Sequence, residues 1–135
     1  MIKLYLDIDG VIINNKKSQP AEHAKEFIEY ITTHFECYWL TTHCKEQAAT
    51  AMRYLSNYFE PDVLQKLLTI LPATWTTLKT EGIDFGVEFV WIEDYPFESE
   101  KKILEQNGAI ERLFTVDLNT DGALKQVIGQ LQSLK

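Results

Sequence analysis

The stretch Ile2-Lys3-Leu4-Tyr5-Leu6-Asp7-Ile8-Asp9-Gly10-Val11 decides how the rest of the chain is read. Ile2 to Ile8 is a short, nearly continuous apolar run ending in acids. That is the pattern of a strand buried on both faces that delivers polar groups at its carboxyl end. Working outward, residues 21–35 place Ala24, Phe27, Ile28, Ile31 and Phe35 on one helical face, with Pro20 where a first-turn proline is accepted. Cys37 to Leu40 reads as a second strand, ending at Thr41-Thr42. Residues 45–59 are helical by the spacing of Ala48, Met52, Leu55 and Phe59, and Val63, Leu64, Leu67 and Leu68 predict another helix after Pro61. Thr69 to Trp75 is ambiguous and compatible with a short strand interrupted by Pro72. Val87 to Ile92 is the clearest later strand. A helix over Glu98–Gln106, stopped by Asn107-Gly108, a strand over Arg112–Val116 and a helix over Gly122–Leu134 complete the chain.

Strands alternating with helices predict an α/β fold: one domain over residues 1–135, a three-layer, Rossmann-like parallel sheet with helices on both faces. The length of 135 residues suits one domain, and a hydrophobic content of 45% is ample for its core. The net charge of −7 argues against a polynucleotide partner, because a phosphate backbone must be neutralised by Lys and Arg. The apolar run at the N-terminus is too short for a secretion signal, and no stretch has the length of a membrane span. Cys37 and Cys44 form no disulfide framework and no zinc set. A reduced, cytoplasmic protein without a membrane role is expected.

In open parallel sheets ligands bind at the carboxyl ends of the strands, where the strand order reverses. Read in turn, those ends carry Asp7-Ile8-Asp9-Gly10, Thr41-Thr42 and Glu93-Asp94, while Lys79 precedes the last of them. Carboxylates at close quarters repel one another unless a cation joins them, and oxygen-only ligands select a hard ion such as Mg²⁺. A hydroxyl and a lysine beside that ion can bind the other oxygens of a phosphoryl group. One carboxylate can then attack phosphorus, and a second can handle the leaving group's proton.

At these residues the chain resembles the haloacid dehalogenase (HAD) superfamily of phosphohydrolases. Leu4-Tyr5-Leu6-Asp7-Ile8-Asp9-Gly10-Val11 matches the family's first motif, Tyr38-Trp39-Leu40-Thr41 its second, Lys79 its third and Phe89-Val90-Trp91-Ile92-Glu93-Asp94 its fourth, in the expected order. The resemblance implies a Mg²⁺-dependent phosphatase with Asp7 as nucleophile and metal ligand. Asp9 would be general acid/base, with its backbone carbonyl on the metal. Thr41 and Lys79 would bind phosphate, and Asp94 would complete the metal site. Glu93 stands where the family usually has Asp or Gly, so it would reach the metal through water or sit behind it, and Glu98 is a candidate outer acid. Members of the family often carry a cap domain; here the segments between motifs are consumed by the elements the sheet itself needs. An uncapped site would be open to a phosphorylated small molecule or macromolecule, or be closed by a partner subunit in a homo-oligomer.

Each residue also has a plainer reading. Thr42 can substitute for Thr41. Lys101 and Lys102 compete with Lys79 but fit the helix after the fourth motif better. Glu93 and Asp94 could cap that helix. His43 reads as an exposed loop histidine at the rim, His23 and His34 as surface groups, and Cys44 as lacking a base. Trp39, Trp75 and Trp91 read as core. Two further functions are weighed: a phosphate-binding or regulatory domain with little turnover, and a receiver-type signalling domain. The first is disfavoured by the retention of both Asp7 and Asp9, the second by the lack of an acid at the end of the second strand.

Overall fold

The computed structural model describes residues 1–43 and 48–134. Its centre is a sheet of five parallel strands: β1 (Lys3–Leu6), β4 (Glu36–Trp39), β5 (Leu71–Pro72), β6 (Phe89–Glu93) and β7 (Leu113–Thr115), in the order β5-β4-β1-β6-β7. A separate hairpin pairs β2 (Ile13–Asn14) with β3 (Gln19–Pro20) in antiparallel fashion. The helices are α1 (Ala24–His34), α2 (Ala48–Leu55), α3 (Pro61–Leu67), α4 (Glu98–Gln106) and α5 (Ala123–Gln132). The chain runs from β1 outward through β4 to β5, then crosses back to β6 and β7. The order therefore reverses between β1 and β6, which are direct neighbours, with Leu6 opposite Ile92.

Alternation along the strands divides the core in two. Leu4, Leu6, Trp39, Val90 and Ile92 join one buried cluster with Phe27, Ile28 and Ile31 of α1 and Leu124 and Leu131 of α5. Tyr5, Phe89 and Trp91 point the other way, into a cluster with Leu104 of α4 and with Trp75 and Ile83. Both sides of β1 and β6 are thus dry, which is why their sequences are apolar runs rather than alternating ones. At about 1.5–3 kcal/mol for each fully buried large side chain, these two clusters anchor the strands from both faces.

The helical face expected of residues 21–35 is the buried face of α1, with Ala24, Phe27, Ile28 and Ile31 inside and Phe35 just beyond. Its start differs from expectation. Pro20 pairs with Ile13 in the hairpin, and His23 takes a left-handed φ of 65°, so the helix begins at Ala24. Pro61 opens α3, and Pro72 lies in β5 at the sheet edge, where a missing N–H is tolerated. The helix expected over 45–59 is represented by Ala48–Leu55; residues 45–47, and the expectation for Cys44, lie outside the described residues. Among the described residues no helix is long and apolar enough to cross a membrane.

Candidate active site

The carboxyl ends of β1 and β6 meet at the reversal point. Asp7 N–H donates to the Ile92 carbonyl at 3.2 Å, so the first residue after β1 lies beside Glu93, the last of β6. Asp7 and Glu93 are buried, Asp94 is partly so, and carboxylate oxygens of the three lie within 4.8 Å of one another. Lys79, at the head of a single 3₁₀ turn (Lys79–Gly82), reaches in from the side. Its Nζ is 3.0 and 3.2 Å from the two oxygens of Glu93 and 3.6 Å from Asp7 Oδ1. Sequence reading placed Asp7, Lys79 and Asp94 together, and the structure brings them together. Glu93 joins them as the principal partner of Lys79.

Three carboxylates against one ammonium leave a formal charge of −2 in a largely buried place, which shifts the proton affinity of its members. Burial, then the charge of Asp7, push Glu93 up, against the opposing pull of Lys79. Burial and Asp7, to which its carboxyl is also hydrogen-bonded, push Asp94 up. For Lys79 burial is the largest influence and favours the neutral amine, but Asp7, Glu93 and Glu100 outweigh it and hold the group above its ordinary value. A hard divalent cation is the complement of such a set: oxygen donors only, with two excess negative charges.

A carboxyl with a raised folded pKa binds more protons folded than unfolded between its two values. Without a cation the fold therefore loses stability as pH climbs from the ordinary 4.5 of Glu93 towards about 9. Lys79, also raised, adds no slope there, because its contribution is complete below 10.5. We expect thermal melts in chelator to fall between about pH 5.5 and about pH 8.5, and added Mg²⁺ to raise the midpoint more at the higher pH. A Mg²⁺ effect equal at both values would contradict this electrostatic account.

The turn after Asp7 is fixed by the Ile8 carbonyl, which accepts from the N–H groups of Val11, Ile12 and Ile13. Gly10 in this turn has φ +80°, and a side-chain carbon there would fall into the Asp94 carboxylate, with Asp94 Cβ 2.8 Å away. Only glycine lets the first acidic loop pack against the last. Gly10→Ala is expected to cost about 1–3 kcal/mol and, by displacing Asp94, to remove the rise in melting temperature expected on addition of Mg²⁺. A full Mg²⁺ response in this variant would show that Asp94 is not needed for the cation.

The remaining predicted residues fall into place unevenly. Thr41 is fully buried, and its hydroxyl accepts from His43 N–H at 3.3 Å; Thr42 lines the cleft over the acidic group. Asp9 also lines that cleft but stands outside the three-carboxylate group. Glu98 is no part of the site: it is exposed on α4 and paired with Lys101 at 3.4 Å, which also removes Lys101 as a rival to Lys79. Glu93 and Asp94 do not cap α4, whose N-cap is Phe97. The three tryptophans are buried as expected, with Trp75 also in the cleft wall. His43 is not a free rim histidine: its Nε2 is 2.8 Å from Asp9 Oδ2.

Glu100 was missed. It is buried on the first turn of α4, where one oxygen accepts from Phe97 N–H at 2.9 Å and the other from Lys79 N–H at 2.8 Å. It ties the 3₁₀ turn carrying Lys79 to the helix that follows Asp94. An acid three residues into a helix is the usual signal, but the N-cap is a phenylalanine, which hides it. Glu81 plays a similar part at the surface, accepting from Thr76 and Thr77, and these bonds hold its carboxyl down at about 2.

The cleft over these groups has a volume of about 420 Å³. A second, of about 430 Å³, adjoins it across Asp94 and Tyr95 and is lined by Asn14, Asn15, Lys16 and Asn119. No family model, curated protein or solved structure matches this chain.

Proposed function

We propose that this chain is a Mg²⁺-dependent phosphomonoester hydrolase of the HAD type, acting through a phosphorylated Asp7 on a capless, three-layer Rossmann-like domain. The observation that carries the reading is the grouping of Asp7, Glu93 and Asp94 within 4.8 Å, flanked by Lys79 at 3.6 Å from Asp7, at the sheet's reversal point. In this reading Asp7 and Asp94 would hold the cation together with the backbone carbonyl of Asp9, as the resemblance implies, and Glu93, paired with Lys79, would act from outside that set. Bound there, Mg²⁺ would neutralise charge on the transferring phosphoryl group.

In this reading a carboxylate oxygen of Asp7 attacks phosphorus as the bond from phosphorus to the ester oxygen breaks. Asp9 gives its proton to that departing oxygen. Water then attacks the phosphorus of the acyl phosphate, Asp9 takes the proton back, and the Asp7 carboxylate is released with inorganic phosphate. Lys79 offsets the charge on Asp7 and on the phosphoryl oxygens, and Thr41 or Thr42 supplies a hydroxyl. The rest of the ester extends into the open cleft beside Tyr95, which suits small phosphoesters better than long polynucleotides, given the net charge of −7.

The test is phosphate release from a panel of phosphomonoesters, with Mg²⁺ and with chelator. Mg²⁺-dependent release is expected. A protein that binds phosphate and Mg²⁺ but turns over no ester would favour a phosphate-binding domain instead.

A further inference from the structure

Asp9 is gripped from two directions by residues far apart in the chain. Tyr54, on α2, donates its hydroxyl to Asp9 Oδ1 at 2.7 Å, and His43 Nε2 lies 2.8 Å from Asp9 Oδ2. The two gripping rings brace each other, stacked with centroids 4.0 Å apart and planes 10° apart, and Tyr58 packs edge-on against Tyr54 at 5.3 Å. His43 is further tied to the end of β4 by its N–H on Thr41.

We infer that His43 and Tyr54 are positioning residues that hold the Asp9 carboxyl in the orientation from which it exchanges a proton with the leaving-group oxygen. The inference rests on the phosphatase reading above. Each carboxylate oxygen has two lone-pair sites. The clamp occupies one on each, and the rest remain available to the cleft, which Asp9 lines with about a third of its side chain exposed (36%). A carboxyl held at both oxygens cannot swing through its side-chain rotamers, so it does not have to find the proton-transfer geometry anew in each turnover. The clamp also makes α2 part of the site, although that helix contributes no residue to the acidic cluster.

A general acid matters only when the leaving group needs a proton, and this separates positioning from mere structural support. The test is kcat/KM, which reports the steps up to departure of the alcohol, for phenyl phosphate and for 2,4-dinitrophenyl phosphate with Mg²⁺. The first leaves as a basic phenoxide; the second leaves readily without protonation. Tyr54→Phe keeps the ring stack and removes only the hydroxyl, and His43→Ala removes the other grip. Each is expected to lose about 10-fold or more on phenyl phosphate and less than about 3-fold on the dinitrophenyl ester. His43→Gln, whose amide can donate from a similar reach, is expected to recover part of the loss. Equal losses on both esters, or none on either, would overturn the inference while leaving the phosphatase reading intact. A wild type inert on both esters would overturn the phosphatase reading, and the inference with it.

Discussion

Asp7→Asn is expected to lose Mg²⁺-dependent phosphate release by a factor on the order of 10⁴ or more, because it removes the attacking atom rather than a supporting contact. The variant should nevertheless fold well. Asp7 is the main charged neighbour pushing Glu93 and Asp94 up, so its neutralisation relieves repulsion in the metal-free protein. Melting in chelator should therefore be at least as high for Asp7→Asn as for wild type. Loss of activity together with retained or raised stability is the signature of a nucleophile placed at a strained electrostatic position. A variant that kept its activity would remove Asp7 from the chemistry. One that lost both activity and fold would leave Asp7 as a structural acid.

Lys79→Met is expected to have the largest effect on stability. Methionine fills a similar volume but supplies no charge, which leaves Asp7, Glu93 and Asp94 crowded together without a counterion. Removing one partner of a buried ion pair costs about 3–5 kcal/mol, and the Lys79 side chain is only 13% exposed. For a domain of this size that corresponds to a fall of roughly 10 °C or more in Tm in chelator near neutral pH. The deficit should widen as pH rises towards about 9, where Glu93 gives up its proton, narrow as pH falls and Asp94 takes one up, and narrow on addition of Mg²⁺. Melts of wild type and variant across pH, with and without the cation, read all three effects. Equal stabilities near neutral pH would mean that Lys79 does not balance this cluster.

The elements that bury large apolar faces were legible in the sequence. The run from Ile2 to Ile8, the face Ala24-Phe27-Ile28-Ile31 and the run ending at Ile92 carry the core, and hydrophobic pattern reports burial directly. From them followed the parallel sheet and the meeting of Asp7 with Asp94, since a strand's carboxyl end is fixed once the strand is. The hairpin Ile13–Asn14 with Gln19–Pro20 was not legible: two-residue strands have no period, and Pro20 looks as natural at a helix start as in a turn. The clamp on Asp9 was invisible for another reason. Tyr54 lies 45 residues from Asp9 and His43 34 residues from it, and their identities signal nothing until α2 is docked beside the first loop. Glu100 was hidden in the same way, since its partner Lys79 is 21 residues distant and its cap motif lacks the usual Ser or Thr. Pattern finds the groups that define a site, whereas the groups that hold those in place are set by tertiary packing.

The acyl phosphate on Asp7 is the claim on which the rest depends, and it can be trapped. Wild type mixed with a turned-over phosphoester and Mg²⁺, then quenched into borohydride, should be reduced at the phosphorylated aspartate to homoserine. Peptide mass mapping should find that change at position 7 and nowhere else, with none in chelator. Reduction at another acid, or steady turnover with position 7 never modified, would contradict the account.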